Sequence, residues 1–384
     1  MSGIYLDYNA SAPIDSRVLE VMINTYYTAY GNADSRTHDY GENARKIVTR
    51  GRKQVADLLG VKSDEIFFTS GATESNNMVL QGLVEYAEQT GKKHIITTSI
   101  EHKAIINSAK HLEKHGFDVE YIAPQRSGRI DVEDVIRRLR DDTLIVSIMH
   151  ANNETGVIQP IKEIGDVLDE KSILFHTDMT QTCGKLVDEI RDLKYDMASI
   201  AAHKMYGPQG IGALVLRKKN YKLPPVKPIL FGGSQEHGMR PGTTPVALVA
   251  GFGEACRIAA EEYKDHLSEY QRIKDTIIRC LEKSGLKYSI NGDQKSSMPT
   301  TLNVCLDGVS SEALMIATKQ YCGISNGSAC NSRNYEPSYV LTAMGVPEGQ
   351  IENSVRISWG IGLSIDDVEN DFCMLLDTAK LMTF

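Results

Sequence analysis

The chain has 384 residues, of which 41% are hydrophobic and 24% are charged, an ordinary composition for a soluble globular protein. The formal net charge of −8 disfavours direct binding to nucleic acid, because no general attraction to polyanions exists. The N-terminus has no basic stretch followed by an apolar core, and no apolar run approaches the length of a membrane span. We therefore expect a cytoplasmic protein without a membrane partner.

The cysteines are odd in number and scattered, and none forms a Cys-x-x-Cys pair. This usage is typical of free thiols in a reducing compartment, and it argues against a disulfide framework or a metal site. One of the seven could still be a reactive thiol. They are Cys183, Cys256, Cys280, Cys305, Cys322, Cys330 and Cys373.

Two amphipathic helices are predicted near the N-terminus, over residues 13–29 and 41–59, after a short extended entry. Short apolar runs then alternate with longer amphipathic ones, which is typical of crossover units in a mainly parallel α/β sheet with helices on both faces. The predicted strands cover residues 65–69, 94–98, 144–149, 173–176, 197–201 and 213–216. The intervening helices are predicted at 73–89, 102–115, 132–140 and 161–170.

A second, smaller domain is predicted at the C-terminal end. A helix follows Pro245, and a long amphipathic helix over residues 258–283 leads into this domain. Its predicted elements are a strand at 301–306, a helix at 311–320, a Gly/Ser-rich loop, a helix at 337–344, a strand at 354–359 and a final helix from 365. We expect a large domain over 14–257 and a small α+β domain over 258–384, and the small domain also includes residues 1–13.

Unusual polar residues stand where the predicted strands end. Thr73, His102, Asn153, Asp178 and Lys204 each follow a different strand. In open parallel sheets the binding crevice lies beyond the carboxyl ends of the strands, so these side chains should meet at one edge. Any one of them alone could be a structural polar group, but five successive strands delivering such groups favour a site.

The set has a shared chemical meaning, because it matches what pyridoxal phosphate needs. Lys204 stands between two apolar runs and would form a Schiff base with the cofactor, while Asp178 would pair with the protonated pyridine nitrogen. The ring would stack on His102. Gln181 could bond the phenolic oxygen of the cofactor, and Thr73 and His203 could hold its phosphate. Small residues open the helix near Thr73, and such a helix start is an anion site.

Several ordered motifs, spread nearly end to end, carry a resemblance to a known family. They are Tyr5-Leu-Asp-Tyr, Thr69-Ser-Gly-Ala-Thr-Glu-Ser-Asn-Asn77, Ile100-Glu-His102, Met149-His-Ala-Asn-Asn-Glu154, His176-Thr-Asp-Met-Thr-Gln181, His203-Lys204-x-x-Gly-Pro208, Gly232-Gly-Ser-Gln-Glu236, Arg240-Pro-Gly-Thr243 and Gly327-Ser-Ala-Cys330. The chain resembles a cysteine desulfurase of the NifS/IscS type. These are pyridoxal phosphate enzymes of the aspartate-aminotransferase-like fold, which implies a seven-stranded large domain (fold type I).

The resemblance implies further site residues. Arg356 would clamp the substrate carboxylate together with Asn153, which would also contact the cofactor. Thr243 would reach the phosphate from a neighbouring subunit, so a homodimer is expected. Lys204 and His102 would move protons during the reaction. Cys330 would accept sulfur from L-cysteine as a persulfide, releasing L-alanine, and would pass it to acceptor proteins.

Four positions depart from the family pattern. Ala201 stands where a Ser or Thr usually contacts the phosphate, and Ala33, Asn326 and Ile361 replace a usual Pro, Ser and Arg. The Ser-Asn-Gly-Ser-Ala-Cys variant resembles desulfurases of DNA phosphorothioation systems (DndA or SspA type), beside the pathways of iron–sulfur assembly and tRNA thiolation. Alternatives are a selenocysteine lyase, a class V aminotransferase-like enzyme and a scaffold without catalysis.

Overall fold

The computed structural model describes residues 3–327 and 336–383. The helices are α1 (Ser16–Thr28), α2 (Asp39–Leu59), α3 (Ala72–Gly82), α4 (Val84–Thr90), α5 (Lys103–Glu113), α6 (Val132–Arg137), α7 (Ile161–Lys171), α8 (Val187–Asp192), α9 (Val246–Ser284), α10 (Ser311–Thr318), α11 (Tyr339–Ala343), α12 (Glu348–Glu352) and α13 (Ile365–Lys380). Among the described residues, no helix is both long enough and apolar enough to cross a membrane.

A seven-stranded sheet forms the centre of the larger region. Its strands are β2 (Ile66–Thr69), β3 (His94–Thr98), β4 (Asp118–Ile122), β5 (Thr143–Ser147), β6 (Leu174–Asp178), β7 (Met197–Ala201) and β8 (Gly212–Leu216), in the order β2-β8-β7-β6-β5-β3-β4. Strand β8 runs antiparallel to both of its neighbours, β2 and β7, and the other neighbouring pairs are parallel, so the mainly parallel α/β sheet is confirmed. Five of the strands are completely buried, as expected of a sheet covered on both faces.

The smaller region contains a three-stranded antiparallel sheet and a short parallel pair. The strands β9 (Tyr288–Ile290), β10 (Thr301–Leu306) and β12 (Ser354–Ser358) lie in the order β12-β10-β9. The N-terminal β1 (Ile4–Tyr5) pairs with β11 (Cys322–Gly323), which brings the start of the chain to this region. Residues of α9 and α13 complete its apolar core.

The two helices predicted on either side of residue 258 form one continuous helix, α9, of 39 residues. Its first part packs on the large region, where Phe252 and Cys256 belong to the sheet core. Its second part packs on the small region through Tyr270 and Ile273. The expected domain boundary between residues 257 and 258 falls inside this helix, and the two-domain division stays a prediction.

Candidate functional site

A cavity of about 1170 Å³ lies at the carboxyl ends of β2, β3, β5, β6 and β7. The N-terminal segment and residues of the small region complete its wall. The structure brings nearly all of the predicted site residues to this cavity: Thr73, His102, Asn153, Asp178, Gln181, His203, Lys204 and Arg356. The expectation that successive strand ends deliver polar groups to one crevice is therefore met.

Lys204 closes a short 3-10 turn, Ala202–Lys204, directly after β7. Its Nζ donates hydrogen bonds to the backbone carbonyls of Asn9 and Ala10, the latter at 2.6 Å. The N-terminal segment thus holds the amine at the cavity wall and not in bulk water. Asp178 and the start of α3 line the same cavity. An amine in this position can form the covalent bond that an aldehyde cofactor requires.

Asp178 is the last residue of β6 and is buried. Its Oδ2 accepts a hydrogen bond from Asn76 Nδ2 at 2.8 Å, and its Oδ1 accepts one from the Thr180 amide at 2.9 Å. Sequence analysis missed Asn76, although its spacing of three residues from Thr73 places both near one face of α3. The two bonds fix the carboxylate in a place suited to a protonated ring nitrogen.

His102 caps the N-terminus of α5, and its Nδ1 accepts a hydrogen bond from the Ala104 amide at 3.1 Å. Burial lowers the pKa of His102, more than the charge of Asp178 raises it. The ring is therefore neutral near pH 7, and because Nδ1 is an acceptor its proton lies on Nε2. Such an imidazole can stack on a flat cofactor and exchange one proton.

His203 and Gln181 are both tied to the N-terminal segment. His203 Nδ1 hydrogen-bonds to Ser11 Oγ at 3.3 Å, and Gln181 Nε2 donates to the Asn9 carbonyl at 3.1 Å. Burial, with a smaller effect of Lys204, lowers the pKa of His203 to about 4. The His203 ring is thus neutral at pH 7, and both this ring and the Gln181 amide can donate and accept hydrogen bonds. The sequence predicted only a short extended entry in the segment that contains Asn9 and assigned it no contact with the site.

The start of α3 fits an anion. The N-cap is Gly71 with φ +152°, and it offers no side chain that would satisfy the first backbone N–H groups. Thr73 lies in this first turn. Gly212 of β8 approaches so closely that a Cβ there would lie 2.8 Å from Gly71 Cα. Ala201, the buried last residue of β7, contributes only a methyl group, so it cannot add a hydrogen bond to a phosphate.

Arg356 lies in the middle of β12 and is buried. Its Nη2 forms an ion pair with Asp7 Oδ1 at 2.6 Å, and its Nη1 donates to the Asn153 carbonyl at 3.1 Å. Asp7 is a contact that the sequence analysis did not predict, because it depends on the N-terminal segment crossing the small region. A guanidinium fork fixed from one side in this way is suited to a carboxylate on its other side.

Several buried polar atoms around the cavity have no hydrogen-bond partner among the described residues. They are Asn153 Oδ1, Thr180 Oγ1, Gln181 Oε1 and Arg356 Nε. Buried polar groups are normally satisfied, so such atoms indicate that a polar ligand completes the site. Pyridoxal phosphate and an amino acid would together supply ring, phosphate and carboxylate partners. The residues present fit the cofactor.

One predicted residue is not brought to this cavity, and another lies outside the described residues. Thr243 is exposed, in the segment that precedes α9, and does not line the cavity of its own chain. Cys330 lies outside the described residues, although Gly327 before it and Pro337 after it both line the cavity. The other cysteines are buried, as predicted, except Cys373, which is partly exposed on α13 with its Sγ 3.3 Å from Cys280 Sγ.

Comparison with known proteins agrees with this geometry. Residues 4–370 match the family model "Aminotransferase class-V". The "Cysteine desulfurase IscS" of Klebsiella pneumoniae (strain 342) is 42% identical over 98% of this chain and 95% of its own length. The IscS of Rickettsia prowazekii (strain Madrid E) is 40% identical over 98% and 91%.

Solved structures give the same result. A "NIFS-LIKE PROTEIN" superposes with a TM-score of 0.90 at 34% identity, covering 99% of this chain and 100% of that one. DndA from Streptomyces lividans superposes with a TM-score of 0.81 at 40% identity, over 94% and 100%. The chain therefore belongs to the class-V aminotransferase family and, within it, to the pyridoxal phosphate-dependent cysteine desulfurases.

Proposed function

We propose that this protein is a cysteine desulfurase that converts L-cysteine to L-alanine and carries the released sulfur on Cys330. The observation that carries the proposal is one cavity in which the Lys204 amine, the Asp178 carboxylate and the start of α3 face the Arg356 fork. These groups match a cofactor at one end and an amino acid at the other. A solved relative at 37% identity is described as "SspA in complex with cysteine".

The cofactor-binding residues have distinct tasks. Pyridoxal phosphate supplies an electron sink for the electrons left when a proton leaves the substrate Cα. Lys204 would hold the cofactor covalently, and its amine would serve as the base that moves that proton. Asp178 would stabilise the positive ring nitrogen, and neutral His102 would stack on the ring and exchange a proton through Nε2.

The substrate is oriented by its carboxylate. Arg356 binds it through the side of the guanidinium that Asp7 and the Asn153 carbonyl leave available, and the Asn153 side-chain oxygen accepts from the cofactor or the substrate amine. The Cys330 thiolate then attacks the substrate sulfur. The carbon–sulfur bond breaks, a sulfur–sulfur bond forms on Cys330, and the remaining three-carbon fragment takes up protons to become alanine.

The decisive experiment is Cys330→Ser in the holoenzyme. This variant should keep the visible absorbance of the bound cofactor and still change it on addition of cysteine, but it should release no sulfide in the presence of a reductant. Cys373→Ser is the matched control, because Cys373 is partly exposed and lies outside the cavity. Full sulfide release by Cys330→Ser would refute the role of Cys330.

We also propose a homodimer in which Thr243 completes the phosphate site of the opposite subunit. Thr243 is exposed and does not line the cavity of its own chain. This supports the proposal, because a phosphate that Thr243 contacts would then have to lie in another subunit. Light scattering should give twice the chain mass of 42.5 kDa. Thr243→Ala should weaken cofactor retention about threefold to tenfold, the loss expected for one hydrogen bond. A monomer with full cofactor retention would contradict the proposal.

The acceptor of the sulfur is a protein thiol. The chain is 42% identical to IscS of Klebsiella pneumoniae and 40% identical to DndA of Streptomyces lividans. Because these identities are nearly equal, the sulfur-transfer pathway has to be assigned by capturing the acceptor protein. Radiolabelled sulfur loaded on Cys330 should transfer to the physiological acceptor and not to serum albumin. Turnover of selenocysteine in the same assay separates the desulfurase from a selenocysteine lyase.

A further inference from the structure

Glu154 is a buried carboxylic acid that the proposed reaction does not use. It follows Asn153 in the loop after β5, and its side chain is among the wall residues of the cavity. Asn152 Oδ1 accepts hydrogen bonds from the amides of Glu154 and Thr155 at 2.9 and 3.0 Å. These bonds tie the backbone at Glu154 to the start of the loop.

The carboxyl group contacts two segments of the small region. Its Oε2 accepts a hydrogen bond from Ser338 Oγ at 2.5 Å. Gly327, with φ +80°, passes so close that a Cβ on it would lie 2.4 Å from the same oxygen. Ser338 Oγ already accepts from the Leu341 amide at 3.1 Å as the cap of α11, so its proton is directed to Glu154.

The two contacts lie on opposite sides of Cys330 in the sequence, Gly327 three residues before it and Ser338 eight residues after it. Ser325 adds a third link, because its backbone pairs with that of Arg356. One carboxyl group thus joins both flanks of the Cys330 segment to the cavity wall that also holds the substrate clamp.

We propose that Glu154 is a positioning residue for sulfur transfer: it fixes both flanks of the Cys330 segment against the cavity wall. The inference rests on the role given to Cys330 in the proposed function. Glu154 touches neither the cofactor nor the reacting sulfur in this scheme, so its effect is expected on the thiol attack and not on cofactor or substrate binding.

The cost of keeping a carboxyl group here supports a role beyond packing. Burial raises the pKa of Glu154 to about 7, against the opposing influence of the Ser338 hydrogen bond and of the charges on Arg356 and Lys103. A buried acid of this kind is less favourable to folding than an apolar side chain of similar size. Its retention is explained if it serves the chemistry of the site.

The test uses single-turnover rates of persulfide formation in the holoenzyme. Glu154→Ala should slow this step about tenfold or more, because a misplacement of about 1 Å can cost up to a hundredfold. Cofactor absorbance and the cysteine concentration that half-saturates its change should stay within about twofold of wild type. Glu154→Gln should recover most of the rate, since the amide oxygen accepts the same bond from Ser338.

Ser338→Ala removes the same bond from its other end and decides the matter if Glu154→Ala fails to fold. It should slow the same step, and the double variant should be no slower than the slower single variant. Ser364→Ala is the matched control, because it removes the helix-capping serine of α13, whose Oγ accepts a hydrogen bond from the backbone amide of Asp367.

Three outcomes would overturn the proposal. They are a wild-type rate in Glu154→Ala, a wild-type rate in Ser338→Ala, or a loss confined to cysteine binding. These outcomes are distinguishable from a failure of the proposed function. Full sulfide release by Cys330→Ser refutes that function, whereas an inactive Cys330→Ser beside a normal Glu154→Ala refutes only the positioning role.

Discussion

The two sides of the cavity are built in different ways. The cofactor side, formed by Thr73, His102, Asp178 and Lys204, comes from the ends of strands in one sheet. The substrate side, centred on Arg356, is assembled from distant parts of the chain: the residues of its ion pair are 349 positions apart. The sheet alone places the backbone positions of the first side, and the N-terminal segment then holds the Lys204 amine. The second side also needs the small region in place.

This difference predicts where substitutions act. Under the proposed function, changes on the cofactor side should reduce the rate of the chemical step, because those groups would contact the cofactor. Changes on the substrate side should weaken the binding of cysteine, because those groups would contact its carboxylate.

Lys204→Ala should have the largest effect. Under the proposed function it removes both the covalent attachment and the group that moves the Cα proton, so turnover should fall by roughly 10³-fold or more. Sulfide and alanine release at saturating cysteine measure this effect. Lys53→Ala, in an exposed pair with Asp57, is the control and should be indistinguishable from wild type. Turnover above a tenth of wild type would contradict the assignment.

Asp178→Asn isolates the charge beneath the ring nitrogen. The variant is nearly isosteric, and Asn76 Oδ1 has no partner among the described residues, so a flip of the Asn76 amide would keep their hydrogen bond. The fold should survive, while kcat falls about 10²- to 10³-fold with loss of the preorganised charge. Bound cofactor should remain with a shifted absorbance. An unchanged kcat would mean that the carboxylate does not act on the ring.

Arg356→Lys tests the substrate side. Lysine keeps the charge but loses the planar fork, and it cannot satisfy Asp7, the Asn153 carbonyl and a substrate carboxylate together. The KM for cysteine should rise about tenfold to a hundredfold, with kcat within a few fold of wild type. Steady-state kinetics decide it. A fall in kcat at unchanged KM would break the division between the two sides.

The cofactor side could be predicted from sequence because its information is local. A short apolar run followed by a polar residue predicts both the strand end and the side chain placed there, as for Lys204 after β7. Asp7 could not be predicted as the partner of Arg356, since no local pattern indicates which strands the N-terminal segment crosses. The same applies to Ser338 and Glu154, which meet across 184 positions.

The fold shows the same limit. Strand β4 was missed because it is a half-exposed strand at the edge of the sheet, and its sequence, Asp-Val-Glu-Tyr-Ile, carries little apolar signal. The continuity of α9 was missed because Gly251 and Gly253 interrupt its pattern. Their reason is tertiary: a Cβ on Gly253 would lie 2.5 Å from Gly51 Cα on α2, so only glycine permits this packing.

Glu101, which precedes His102, is a second buried acid near the cofactor side, and its substitution is expected to change stability and not turnover. Its Oε1 accepts hydrogen bonds from Thr98 Oγ1 at 2.8 Å and the Met149 amide at 2.9 Å, and both donors are neutral. Burial raises the pKa of Glu101 to about 8, whereas nearby Arg356 and Lys103 oppose the rise for Glu154. Burial therefore raises the pKa of Glu154, on the substrate side, less than it raises the pKa of Glu101.

A raised pKa in the folded state means that the native protein holds the proton more tightly than the unfolded chain. The free energy of unfolding should then fall as pH rises from about 4.5 toward about 8, by up to about 1.4 kcal/mol per pH unit from this group. Glu101→Gln keeps both accepted bonds and removes the titration. Urea unfolding between pH 5 and 8 should show its stability rising relative to wild type with pH, and parallel curves would mean that Glu101 ionises normally in the folded protein.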